Sequence, residues 1–134
     1  MYRAFASCKY LANVSLSSCG AGPHAYLASA FEDAASAVTT GKYAVTFNLT
    51  SFGAGTGSDM TSMLEGVATS TSALTPRATL TGGASANVPQ STRRAFANSG
   101  FMRVDLTGWV SREAVDVSGE FDGCKNIRSV KERG

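Results

Sequence analysis

A chain of 134 residues with 43% hydrophobic and only 16% charged residues has the size of one compact domain, residues 1–134, with enough apolar side chain to bury a core. Nearly half of it is Ala, Ser, Thr or Gly, which leaves few side chains able to do chemistry and suits assembly better than catalysis. Net charge is only +2 and no basic block is dense enough to be an obvious nucleic-acid-binding arm, and no run approaches the ~20 apolar residues of a membrane span.

In chain order, residues 1–16 are ambiguous between a short helix followed by a strand and a single edge strand. Residues 17–23, rich in Gly and ending in Pro, read as a turn. The segment 24–38 predicts a helix, with Leu27, Phe31, Ala34, Ala35 and Val38 recurring at three- and four-residue steps before Gly41. Residues 42–52 predict a strand, because Tyr43, Val45, Phe47 and Leu49 alternate with Ala44, Thr46, Asn48 and Thr50. After Gly53–Gly57, Ser58 would cap a second helix reaching Ser70, whose stripe is Met60, Met63, Leu64 and Val67. Residues 77–81 predict a short strand, 82–90 a loop and 89–100 one or two helical turns closed by Gly100. Residues 101–121 read as a hairpin or meander turning at Thr107-Gly108, with Met102, Val104 and Leu106 on one face and Val115, Val117 and Phe121 continuing the period. From about residue 125 the tail is expected to be loosely ordered.

This order predicts an α+β domain: a mostly antiparallel sheet of four to six strands with two or three helices packed on one face. No period of 20 to 50 residues is evident, so repeat architectures are set aside.

Residues 52–58, FGAGTGS, follow a strand and open a helix, and over these seven residues the chain resembles the first motif of S-adenosylmethionine-dependent methyltransferases. That resemblance implies an acidic residue about 20 positions on to hold the ribose, yet no Asp or Glu lies between Glu65 and Asp105. A triphosphate loop also fails, because no Lys follows the glycines. The run is therefore expected to be a connector, and no cofactor is expected.

Cys8, Cys19 and Cys124 are an odd set, which fits reduced thiols and a chain that is not exported. With His24, the only histidine, they permit a zinc site, but no two ligands stand two to four residues apart, so no metal is expected. Cys19 and His24 also permit a nucleophilic dyad. Glu32 and Asp33 are adjacent and poorly placed for shared acid–base work, while Asp116, Glu120 and Asp122 read as a solvated face paired with Arg112 or Lys125. Trp109 with Phe101, Phe121 and Tyr43 permits base stacking beside Arg103 and Arg112.

The charge distribution singles out Arg77, Arg93, Arg94 and Arg103, all in the acid-free stretch, and Lys125 and Arg128 in the tail, as contacts for a nucleic acid or a protein partner. The reading is a non-enzymatic assembly or binding protein, a homo-oligomer or partner of another protein. Its most specific form is a structural component of a viral or phage particle of the capsid, decoration or tail-connector type, found in the cytoplasm or the assembled virion. The alternatives are a small inhibitor or regulator using the basic surface, and a small Cys/His enzyme.

Overall fold

The computed structural model describes residues 2–17, 26–38, 45–49, 58–70, 78–81, 91–105 and 116–131. Within them five short strands, β1 (Asn13–Ser15), β2 (Val45–Asn48), β3 (Ala78–Thr81), β4 (Arg103–Asp105) and β5 (Ser129–Lys131), form one sheet in chain order with every neighbouring pair parallel. Successive parallel neighbours oblige the chain to travel back to the same end of the sheet after each strand.

The return path is itself a wall. The N–H groups of Leu27, Ser29, Phe31 and Asp33 donate to the carbonyls of Asp59, Thr61, Met63 and Glu65 at 2.8 to 3.0 Å. Those of Met60, Ser62, Leu64 and Gly66 donate in the same manner to Ser91, Arg93, Ala95 and Ala97, and those of Thr92, Arg94, Phe96 and Asn98 to Asp116, Ser118, Glu120 and Asp122. The alternate N–H groups close four-residue turns instead, as Ala30 does on Leu27 and Ala34 on Phe31. The described residues are thus five stacked coils of one solenoid: coil 1 (2–16), coil 2 (26–38 with 45–49), coil 3 (58–70 with 78–81), coil 4 (91–105) and coil 5 (116–131).

No helix occurs among the described residues, and the expected antiparallel sheet with helices on one face is replaced by a parallel sheet facing a wall of turns. Of the three segments expected to be helical, 24–38, 58–70 and 89–100, the described parts, 26–38, 58–70 and 91–100, supply that wall. The reason is geometric. Ser29, Asp33, Ala35, Ser62, Gly66, Ala68, Arg94 and Asn98 all hold φ between +52° and +71°, which no α-helix contains. A positive φ at the third position of a hydrogen-bonded four-residue turn is the type II geometry. Turns repeated every four residues bury Met60, Met63, Leu64, Val67 and Ala68 together, the same spacing a helix would bury.

The exclusion of repeats is overturned as well. Cross-coil register places Phe5, Phe31, Leu64, Phe96 and Phe121 in one column, separated by 26, 33, 32 and 25 residues. The intervals differ because 16 residues separate the column from the strand in coils 2 and 3 (Phe31 to Phe47, Leu64 to Leu80) but only 8 or 9 in coils 1, 4 and 5. A fixed period is therefore hidden by the length of one connection.

Other expectations fare unevenly. The alternation of 42–52 is kept in β2, where Val45, Phe47 and Leu49 are buried and Thr46 and Asn48 are half-exposed. β3 falls within the predicted 77–81. The hairpin over 101–121 is not formed: β4 runs parallel to β3 and β5, and Val117 and Phe121 belong to the turn wall. The proposed turn at Thr107-Gly108 lies outside the described residues. β5 sits inside the tail expected to be loose and pairs with β4 through Val104 and Val130.

The walls meet across a shared apolar core. Phe5 stacks on Phe31 with ring centroids 5.1 Å apart, and Phe96 on Phe121 at 5.2 Å. Phe31 meets Phe47 of the sheet edge-on at 5.4 Å, and Phe47 meets Phe101 likewise at 5.8 Å. Edge-to-face and offset-stacked pairs of this kind add about 0.5 to 1.5 kcal/mol each beyond burial.

Two substitutions test this packing. Asp33 leans over Gly66, so a Cβ at Gly66, where φ is +71°, would run into its carboxylate. Gly66→Ala is expected to destabilise the fold by about 1 to 3 kcal/mol in urea unfolding; an unchanged midpoint would contradict the left-handed turn. Thr92 is 2% exposed and its hydroxyl has no hydrogen-bond partner. Thr92→Val is expected to raise stability by about 1 kcal/mol, and a loss would show that the hydroxyl is satisfied.

Candidate assembly surfaces

The sheet turns one face outward in two straight columns. One holds Asn13, Thr46, Thr79, Arg103 and Ser129, the other Ser15, Asn48, Thr81 and Asp105, while Val14, Phe47, Leu80 and Val104 point inward between them. The outer face is therefore short and polar, with Arg103 its longest described side chain.

The turn wall carries charge in a different pattern. The Arg94 guanidinium donates to Glu65 Oε1 from Nη2 at 2.8 Å and from Nε at 3.2 Å, and its Nη1 lies 3.8 Å from Asp122 Oδ2. One side chain so ties coils 3, 4 and 5. Arg3 Nη1 donates to Glu32 Oε2 at 3.1 Å and ties coils 1 and 2. Burial alone would raise the Glu65 pKa, but hydrogen bonds from Arg94, Ser62 and Asn98 outweigh it and hold the carboxyl below its ordinary value. At Asp33 burial, together with the charges of Glu32 and Glu65, pushes the pKa up.

Of the acidic trio near the C-terminal end, Asp116 and Asp122 lie exposed and only Glu120 departs from the expected solvated face. Glu120 is buried, whereas Asp116 accepts from the Ser118 hydroxyl at 2.6 Å and from its N–H at 3.0 Å, which lowers its pKa. Cys124 donates its thiol to the Phe96 carbonyl at 3.0 Å, and burial raises its pKa; Cys8 is exposed. Among the described residues no three His, Cys, Asp or Glu side chains gather as a metal-binding group.

The six basic residues singled out in the sequence do not form one surface. Arg93 and Arg94 stand on the turn wall, Arg94 already engaged by two carboxylates. Arg103 lies in β4 opposite Ser129, and the exposed Arg128 immediately precedes Ser129, so these two occupy the sheet side. Lys125 sits at the corner between the walls, beside an open pocket of about 230 Å³ lined with Asn98, Gly100, Gly123 and Asn126. Arg77 lies outside the described residues, as do Cys19, His24, Gly53–Gly57, Trp109 and Arg112.

Sequence reasoning missed the two end faces. Each turn-wall coil directs its alternate N–H groups toward the next coil. The N–H groups of Val117, Gly119, Phe121 and Gly123 in coil 5 therefore have no hydrogen-bond partner among the described residues, nor do the carbonyls of Tyr2, Ala4 and Ala6 in coil 1. The large apolar side chains left exposed gather at these ends: Tyr2, Phe5 (40% exposed) and Tyr10 (80%) on coil 1, Val117 and Val130 on coil 5. Tyr26 is the other one among the described residues, and it stacks on Tyr2 at 4.9 Å. A signal for these faces exists in the sequence. Phe5, Cys8, Lys9, Leu11 and Val14 recur with identical spacing as Phe121, Cys124, Lys125, Ile127 and Val130.

No family model, no curated protein and no solved structure matches this chain. Among the described residues no helix is long and apolar enough to cross a membrane.

Because the folded state raises the Asp33 pKa, it holds the proton more tightly than the unfolded chain does. The stability this contributes is present at acid pH and is lost as pH rises through the folded value. Asp33→Asn removes the ionised carboxylate, and Asn98 shows that Asn accepts the equivalent left-handed position. The variant is expected to be more stable at neutral pH by ~0.3 kcal/mol, the scale of exposed charge interactions. The gain should vanish on acidification below the ordinary Asp range, as read from urea midpoints across pH; a constant gain would mean that the charge is not its source.

Proposed function

We propose that this chain works by contact and not by bond-making, as an assembly module. The observation that carries this reading is that, among the described residues, the large exposed apolar side chains are confined to the end coils, with Tyr26 leaning on one of them. Along the walls the described backbone polar groups are paired between coils, and the outward side chains are polar or charged, Arg3 and Arg94 among them held in ion pairs. At the ends the apolar core and the unpaired ladder reach solvent together, the combination that draws another chain.

A structural component of a larger particle is the form of assembly that the Ala, Ser, Thr and Gly content suggests. The regulator reading is less favoured, because Arg93 and Arg94 stand on one wall and Arg103 and Arg128 on the other, so a single partner would have to reach around the solenoid to touch both pairs. The Cys19 and His24 enzyme gains no structural observation, since both residues lie outside the described ones.

Light scattering after size exclusion tests the reading. The native mass is expected to exceed that of the monomer and to rise with concentration from low to high micromolar. A monomer across that range would overturn it.

A further inference from the structure

Resting on the assembly reading above, we propose that the partner is a second copy of this chain, stacked end to end, with coil 1 of one copy seated on coil 5 of the next so that the solenoid continues across the junction.

Three independent features of the two faces agree on this occupant. The first is hydrogen-bond polarity. Coil 5 offers donors and coil 1 offers acceptors, and inside the chain a donor meets the carbonyl of the residue preceding its register mate, as Phe5 N–H meets Ala30 O beside Phe31. Repeating that rule pairs the N–H groups of Gly119, Phe121 and Gly123 with the carbonyls of Tyr2, Ala4 and Ala6 of the second copy.

The second is side-chain register. That alignment sets Phe121 against Phe5 of the second copy, extending the stacked pairs Phe5–Phe31 and Phe96–Phe121 by one more of the same kind. From Phe5 to Val14 and from Phe121 to Val130 is nine residues in each coil, so when the aromatic column is in step the sheet is too. Val130, 40% exposed, is then covered by Val14 of the second copy.

The third is charge. Arg94 of coil 4 pairs back to Glu65 of coil 3, and these positions correspond to Arg3 of the second copy and Asp122 of coil 5. The junction therefore carries an Arg3–Asp122 pair in the geometry already used within the chain. Against it stands Lys9 of the second copy beside Lys125, an exposed like-charge contact of small cost.

Such a contact is heterologous: the two surfaces differ, so each added copy leaves one free face of each kind and growth does not close. The test uses two variants of the full chain. Ala4→Glu places a carboxylate on the exposed coil 1 face, where the stack brings it against Glu120, and Val130→Glu places one on the coil 5 face. Wild-type protein is expected to give a ladder of masses that lengthens with concentration. Each variant alone is expected to associate at least tenfold more weakly and run as a monomer with an unchanged circular dichroism spectrum. Mixed in equal amounts, the two should form a dimer that goes no further, because each retains one intact face of the opposite kind.

If wild-type protein stops at a dimer, assembly stands and end-to-end stacking falls. A wild-type monomer overturns both. Variants that assemble like the wild type, or that fail to pair when mixed, also overturn the stacking. Should either variant lose its fold, Arg3→Glu and Asp122→Arg serve instead: each alone weakens assembly, and the mixture restores it through the reversed pair. Failure of the mixture to recover would refute the junction.

Discussion

The fold depends on a division of labour among the backbone N–H groups of the turn wall. In an α-helix every N–H beyond the first turn is consumed within the segment, which leaves nothing to hold a neighbour. Here alternate N–H groups close a turn and the others cross to the next coil, an arrangement in which every fourth residue of the wall, the third of every second turn, adopts a left-handed φ. Nine described non-glycine residues do so, among them Arg3, Ser29, Ser62 and Arg94 in one column and Ser7, Asp33 and Asn98 in another. Each such residue costs on the order of 1 kcal/mol. The conformation persists because the coils above and below fix it through hydrogen bonds on both sides.

That constraint sets the shape of the core. Stacked turns present a column of inward side chains at the spacing of the coils, and the column filled by Phe5, Phe31, Leu64, Phe96 and Phe121 gives each ring a neighbour above or below. Across from it Val14, Phe47, Leu80, Val104 and Val130 form the matching column of the sheet. Burial then follows position along the axis. Phe31, Phe47, Leu64, Leu80 and Phe96, flanked on both sides, are at most 1% exposed, whereas Phe5 and Val130 at the ends reach 40%. In a quasi-one-dimensional array stability is a sum of neighbour terms, so the end coils, each with one neighbour, are the least stabilised.

The sheet was partly legible in the sequence. Alternation around Val45 and Phe47 is a local signal and survives as β2, because a strand with one buried face has the same period in any sheet. Strand direction is not local, and nothing between Phe101 and Phe121 distinguishes a hairpin from a parallel return. The turn wall was misread for a sharper reason: Met60, Met63, Leu64, Val67 and Ala68 satisfy the helical template fully, and only the backbone conformation at Ser62, Gly66 and Ala68 separates the two structures. Glycine at 66 was a hint, but Ser62 and Ala68 carry none. The end faces were legible through the shared spacing of Phe5 to Val14 and Phe121 to Val130. That match spans the whole chain and escapes a search for a fixed interval between neighbours, which the longer connections of coils 2 and 3 break. The uneven charge distribution points to Arg77 through Arg128 instead, and charge carries no information about which wall a residue occupies.

A ladder whose donors all point one way gives the molecule a sense along its axis, and this governs how its ends behave. Two copies meeting through like ends would bring donors against donors or carbonyls against carbonyls, leaving buried backbone groups unpaired at a cost of about 1 to 3 kcal/mol each. Unlike ends would answer every such group but the Val117 N–H, and the side chains would follow, because the column that sets Phe5 over Phe31 within the chain would set Phe121 over Phe5 of a neighbour. The sheet edges add no such preference, since edges of parallel strands expose donors and acceptors alike. Polarity therefore resides in the turn wall, and the left-handed residues that create its cross-coil donors also decide which end of one molecule can answer the other.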